Sequence, residues 1–316
     1  MPVHLNSITN SDACNGHDGS VSSWQSSLTR RSFLALTAAA CACRKEAEKP
    51  PPPTPPSELT WALISDTHIG ATLDAADRGS NMANNLRAVV RDVMDVGPDH
   101  VLFNGDVARK SGQTADYATF SKLISPLRNA GLPVHLALGN HDDRHRFCNA
   151  LHVAGDTTCP EKSVSAMEVG GLRWLLLDSL ASGNGIQGSL GPTQLEWLAR
   201  QLDARPAAAT VVCVHHNPDV PLIGLTDARE FLKIVQPRRQ VKLVMFGHTH
   251  EFRLWQMDGL HFLNLPAVGY RFKPNISLGW VMAKTTMDGA ELTIRTIDNR
   301  QRMDRSVREL AWRSLG

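Results

Sequence analysis

The chain has no excess of charge of either sign. Its 316 residues carry 33 Lys and Arg against 31 Asp and Glu, a formal net charge of +2, which gives no basis for a polybasic nucleic-acid face or a stable nucleic-acid partner. It also lacks any run of about eighteen apolar residues, so no full transmembrane helix is expected. Thiols are few. Of six cysteines, Cys14, Cys41 and Cys43 lie near the N-terminus, leaving Cys148, Cys159 and Cys213 for the rest of the chain. Cys148 and Cys159 are close enough in sequence to staple one loop in an oxidising compartment, although spacing alone leaves that pairing open. Cys213, inside the apolar run VVCVHH, reads as a small buried hydrophobe. No internal repeat is visible.

The first 57 residues do not read as domain material. Residues 1–28 are polar and rich in Ser, Asn and Gly; Arg30 and Arg31 then precede an apolar stretch from Phe33 to about Cys43. That stretch is too short to span a bilayer but fits a signal-peptide core. The run Thr29-Arg30-Arg31-Ser32-Phe33-Leu34 resembles a bacterial twin-arginine export signal, and Ala38, Ala40 and Ala42 offer Ala-x-Ala cleavage sites. Residues 1–43 are therefore expected to be an export signal for the twin-arginine machinery, with a periplasmic or otherwise extracytoplasmic product. The plain alternative is an accidental arginine pair before an apolar helix. A lipid anchor on Cys41 or Cys43, the one route to a membrane, is less well supported because Ala38 or Ala40 stands where Leu is expected. Residues 44–57, RKEAEKPPPPTPPS, are charged and then proline-rich, which predicts an extended, semi-rigid linker.

From residue 58 to about 300 the chain alternates strands and helices. Apolar, β-branched runs predict buried strands at 59–65, 100–104, 133–138, 173–178, 209–214 and 241–246. Helical patterns lie between them, most clearly at 81–96, 114–130, 192–204 and 226–236. After residue 250 the pattern turns to strands at 251–257, 260–265, 276–286 and 290–297, with Asp258-Gly259 and Asp288-Gly289 marking hairpins. The fold class expected is layered α/β, ending in antiparallel strands. Residues 301–316 form a C-terminal tail in which RSVRELAWRSLG is consistent with a short amphipathic helix.

The ends of these strands share a chemistry. They read SDTH (65–68), NGDVAR (104–109), GNHDD (139–143), HHNP (215–218) and GHTH (247–250). Any one of them is ordinary turn chemistry, since Asp and Asn bond locally to backbone amides. Five in order, each directly after an apolar strand, point to a site at the carboxyl edge of the sheet, where open α/β proteins bind ligands. Asp66 and His68 are two apart, as are His248 and His250, so on an extended chain each pair projects to one side. Carboxylate, amide and imidazole donors without thiolate suit Mn, Fe or Zn and argue against iron-sulfur chemistry. Asp106, whose carboxylate has two oxygens, is the natural bridge between two ions.

These five blocks, spanning residues 66–250, resemble those of the calcineurin-like metallophosphoesterase superfamily. The resemblance covers about residues 59–300. It implies an α/β sandwich of mixed sheets flanked by helices and a two-metal site. One ion would be held by Asp66, His68, Asp106 and His250, the other by Asp106, Asn140, His215 and His248, with His216 a supporting neighbour. It further implies hydrolysis of phosphomonoesters or small phosphodiesters by a metal-activated hydroxide. His141 would then protonate the leaving alkoxide and Asp142 orient His141. Arg109 either reaches a phosphate oxygen or makes a structural salt bridge. Arg144, His145 and Arg146 read as an exposed helix start or as part of a substrate pocket. Purple acid phosphatases carry a tyrosine where Arg109 stands, and protein phosphatases a longer Gly-Asp block than GDVARKS, so both resemblances lose weight. HHNP is similar to the HHPP loop of class III cyclic nucleotide phosphodiesterases. Two other readings are a metal-dependent nuclease, disfavoured by the balanced charge, and a metal-binding surface protein without turnover.

Overall fold

A computed structural model describes residues 58–181, 185–298 and 303–315. The expected export signal, 1–43, and the expected linker, 44–57, lie outside them. The first half of the described chain runs β1 (Glu58–Ile64), β2 (Ala76–Asp77), β3 (Ser80–Asn81), α1 (Met82–Val96), β4 (His100–Asn104), α2 (Thr114–Leu123), α3 (Ser125–Asn129), β5 (Val134–Ala137) and α4 (Arg144–Leu151). It continues through β6 (Ser165–Val169), β7 (Leu172–Leu176), α5 (Gly191–Asp203), β8 (Thr210–Cys213), α6 (Ala228–Val235) and β9 (Val241–Phe246). The last strands are β10 (Arg253–Met257), β11 (Leu260–Asn264), β12 (Gly279–Thr286), β13 (Gly289–Thr296) and β14 (Val307–Ala311).

Two six-stranded mixed sheets result, ordered β14-β13-β12-β1-β4-β5 and β10-β11-β9-β8-β7-β6. Strands β1, β4 and β5 are parallel, as are β7, β8, β9 and β11. Both faces of the central strands are apolar, because each sheet packs against its partner on one side and helices on the other. Along β1, Trp61 and Leu63 enter the core between the sheets, while Ala62 and Ile64 face α1 to α4. On β8, Val211 and Cys213 face the other sheet and Val212 joins the core beneath α5 and α6. The Trp61 and Trp174 rings, one from each sheet, lie 4.0 Å apart at the centre of the sandwich.

Several expectations need correction. The predicted helix at 114–130 is broken after Leu123. Pro126 has no N–H and its ring crowds the carbonyl of Lys122, one turn back; Ser125 Oγ donates to that carbonyl instead at 2.9 Å. The tail contains a strand, not a helix. Residues 307–311 pair antiparallel with β13, so the sheet extends past residue 300. Beyond β14, the buried Arg313 donates to the carbonyls of Val235, Gln236, Arg238 and Val241, across to the second sheet at the end of α6. Cys148, Cys159 and Cys213 are all free thiols, so Cys148 and Cys159 are not paired in this structure; Cys213 is fully buried.

Candidate metal centre

The five motif ends converge at the carboxyl edge of both sheets. Asp66 and His68 follow β1, Asp106 follows β4 and Asn140 follows β5; His215 follows β8, and His248 and His250 follow β9. All seven are buried. Extended backbone does not bring the paired residues together, contrary to the sequence reading. Asp66, His68 and Asp106 take left-handed conformations with φ of 54°, 49° and 49°, and His248 and His250 do so at 67° and 56°. Such strain persists only where surrounding bonds enforce it. Here Asp66 N–H donates to Gly105 O at 3.1 Å, His68 N–H to Asp106 O at 2.9 Å, and Gly269 N–H to Asp66 O at 2.8 Å. Glycine is required behind two ligands: a Cβ at Gly139 would collide with Asp106 and one at Gly247 with Ser65 and Asp66.

Two donor clusters meet at this edge, linked by a third made of His68, Asp106 and His141. Asp66, His68 and His250 present ligand atoms within 4.8 Å of one another, and so do Asp106, His215 and His248. His68 Nε2 is 3.0 Å from His250 Nε2 and 3.6 Å from Asp106 Oδ2; His250 Nε2 is 3.3 Å from Asp66 Oδ1. His215 Nε2 is 3.3 Å from Asp106 Oδ2, placing Asp106 between the clusters. The imidazoles are held from behind. His250 Nδ1 donates to Tyr270 O at 2.7 Å and His215 Nδ1 to Asn104 O at 2.9 Å; a carbonyl only accepts, so each Nε2 lone pair is turned inward. Asn140 Oδ1, His215 Nε2 and His248 Nε2 are buried without a hydrogen-bond partner. Oxygen and nitrogen atoms stranded in this way fit a cation in the Asp106 cluster, and Asp66, His68 and His250 offer donors of the same kinds in the other.

The electrostatics carry the same message. Burial alone would raise the Asp66 carboxyl, but His250 and His215 hold it well below the usual range. Burial opposes ionisation of Asp106 too, and His215 overrides it. Burial would push the His215 imidazole down, yet Asp106 and Asp66 lift it to about 10. Desolvation drops His68 to about 3 and His248 to about 4. In the metal-free protein both carboxylates therefore lean on the His215 imidazolium, where cations would otherwise neutralise them.

The sequence profile of the calcineurin-like phosphoesterase family matches residues 59–252. The chain belongs to this family. It is 29% identical over 239 residues to the probable cyclic nucleotide phosphodiesterase of Synechococcus, covering 73% of this chain and 89% of that protein. It is 30% identical over 223 residues to the 3′,5′-cyclic adenosine monophosphate phosphodiesterase CpdA of Pseudomonas aeruginosa, covering 68% and 78%. The fold is similar to that of a dimetal phosphatase from Danio rerio, with a TM-score of 0.65, 16% identity, and coverage of 80% of this chain and 99% of that one. A yellow lupin purple acid phosphatase is similar at a TM-score of 0.58 and 16% identity, with 81% and 54% covered. The protein is a metal-dependent phosphoric ester hydrolase with the dinuclear site of its fold.

Around the centre of this phosphoesterase, the remaining predicted residues divide. His141 stands beside it. Its N–H donates to Asp106 Oδ1 at 2.8 Å, its ring meets the His68 ring edge-on at 4.8 Å between centroids, and its Nδ1 is buried without a partner. Asp142 does not orient His141. Its carboxylate accepts from the backbone N–H groups of Val107 at 3.2 Å, Ala108 at 2.9 Å and Gly139 at 2.9 Å, and from Tyr117 Oη. It ties the loop after β4 to the loop after β5, and burial with the nearby Asp106 charge raises its carboxyl to about 7 despite those donors. Arg109 takes the structural alternative, donating to Ala76 O at 2.7 Å and lying 3.7 Å from Asp77.

Arg144 opens α4 and pairs bidentately with buried Asp178. Together with His145, Cys148 and Lys162 it also lines a cavity of about 730 Å³, which includes none of the seven candidate ligands. Arg146 is partly occupied by Asp143 and Gly112 O. His216 faces away through Nδ1 to Ser179 Oγ at 2.7 Å, while its ring lies 4.6 Å from that of His248. Ser65, whose Oγ donates to Asp66 Oδ2 at 2.6 Å, and Tyr270 were not legible as site residues. Serine beside the first aspartate is a faint signal; Tyr270 has none.

Proposed function

We propose that this enzyme hydrolyses 3′,5′-cyclic nucleotides or closely similar small phosphodiesters. The observation that carries the reading is the pair of donor clusters hinged on Asp106, in a chain whose relatives are cyclic nucleotide phosphodiesterases. In this reading Asp66, His68, Asp106 and His250 hold one ion, and Asp106, Asn140, His215 and His248 the other. Such a pair of ions supplies positive charge for phosphate oxygens and acidifies water. The chain's own part is to hold these groups in fixed tautomers and to deliver a proton. His141, anchored through its N–H to Asp106 with an unspent Nδ1, protonates the departing alkoxide. The arginine pair and apolar stretch of the N-terminal segment support twin-arginine export of the folded enzyme and an extracytoplasmic location.

The test is product release by the protein supplied with Mn, Fe or Zn. Cyclic nucleotides, linear diesters and monoesters are compared at equal concentration. Turnover of the cyclic diesters above the monoesters is expected; monoesters as the preferred class would overturn the assignment. Protease protection of the full chain in spheroplasts tests export, and retention of the product in the cytoplasm would contradict it.

A further inference from the structure

One side of the metal centre is walled by flat side chains from distant parts of the chain. The Tyr270 ring lies 4.6 Å from that of His68 and 4.7 Å from that of His250. Phe272 stacks on His250 with centroids 4.3 Å apart and planes 28° from parallel, yet remains 46% exposed. Arg78 completes the wall. Its guanidinium lies 5.0 Å from the Phe272 ring centre and 5.8 Å from that of Tyr270.

Arg78 is mounted deliberately. It and Gly79 form the two-residue turn of the β2–β3 hairpin, with φ of 46° and 77°, the doubly left-handed geometry of a tight hairpin. Arg109 holds the hairpin through Ala76 and Asp77, so in its structural role it supports the arginine at the rim. Among the described residues no ion pair or hydrogen bond engages the Arg78 guanidinium, which leaves its fork of donors for a ligand.

On the cyclic nucleotide reading, an ester group of a phosphodiester seated at the centre would emerge beside His250, where Phe272 is partly exposed. The surface there is an aromatic ring followed by a planar cation. Nucleobases stack on both kinds of plane, and a guanidinium also donates to acceptors on a purine edge. A flexible, non-aromatic alcohol gains none of this. We propose that Phe272 and Arg78 form the nucleobase-binding rim of this enzyme and set its preference for nucleotide over other phosphodiesters. The inference rests on the cyclic nucleotide reading above.

Steady-state kinetics of the Mn-supplied full chain test it, with 3′,5′-cyclic adenosine monophosphate and a base-free 3′,5′-cyclic ribose phosphate as substrates. For the nucleotide, Phe272→Leu and Arg78→Ala should each raise KM about 10-fold, the loss of one stacking plane. Metal content and kcat should be retained, and Phe272→Tyr should restore KM. For the base-free diester, all variants should match the parent. Equal losses on both substrates would make these residues phosphate-binding or structural and overturn the proposal, as would metal loss in Phe272→Leu. An unchanged nucleotide KM would overturn the rim alone. Parent enzyme that turns over the base-free diester but no cyclic nucleotide would overturn the underlying reading and the rim with it.

Discussion

The two sheets contribute different chemistry to the same centre. Of the seven candidate ligands, the first supplies the oxygen donors Asp66, Asp106 and Asn140 and one imidazole, His68; the second supplies His215, His248 and His250 and no carboxylate. The first sheet holds one cluster by itself, His68, Asp106 and His141, but each of the two clusters of the proposed ion pair draws on both sheets. Asp66 and His68 of the first sheet meet His250 of the second, and Asp106 meets His215 and His248. Bonds between backbone and side chains cross the seam as well. His248 N–H donates to Asp66 at 3.1 Å, and His215 Nδ1 to Asn104 O at 2.9 Å. The lesson is that this centre is a product of sheet docking. Burial of Trp61 against Trp174 and their neighbours assembles the ligands, and cations bound across the seam would stabilise that docking in turn.

This division can be broken most severely at Asp106, the carboxylate both clusters share. Asp106→Asn should lower metal affinity more than 100-fold, beyond the roughly 10–100-fold of substitutions behind a ligand, and remove activity; elemental analysis with two ions retained would show the bridge is elsewhere. Next, His141→Ala should keep both ions while kcat falls about 10²–10⁴-fold. The fall should be smaller for p-nitrophenyl esters, whose leaving groups need little protonation. Equal losses across leaving groups would leave His141 only a positioning role.

The metal-free protein should also show the imbalance through pH. His215 holds its proton to about pH 10 when folded, against an ordinary imidazole value of 6.5. A raised value means that the folded state binds the proton more tightly, so its stabilising effect is full below pH 6.5 and is lost as pH rises toward 10. From pH 7 to 9 the metal-free fold should therefore lose roughly 2 kcal/mol in denaturant titrations. The metal-loaded fold should not, and metal binding at pH 8 should release about one proton. A pH-independent metal-free stability would contradict the shared imidazolium. The smallest effect is expected far from the centre. Arg313→Ala should cost about 2 kcal/mol in unfolding experiments by freeing four carbonyls, with kcat unchanged.

Much of this was legible because burial on both faces writes strands as unbroken apolar runs. Strand 241–246 was placed to the residue, and the motif ends fell at the carboxyl edges as expected. What failed shares a cause, in that tertiary contacts overrode local pattern. RELA reads as helix but completes a sheet edge beside β13, and the half-exposed SAMEV of β6 has too little apolar periodicity to stand out. Asp142 looked like a partner for its neighbour His141 because they adjoin in sequence, whereas its charge is taken by amides of residues 107, 108 and 139. Left-handed backbone at five candidate ligands leaves no mark in residue identity. Arg78 and Phe272 meet across nearly two hundred positions, a contact only the fold supplies.

The most direct test of a centre shared through Asp106 is electron paramagnetic resonance of the Mn-loaded protein. The account predicts an exchange-coupled pair in the parent, reduced by His248→Ala or His250→Ala to a single uncoupled ion. Two uncoupled ions in the parent would contradict it.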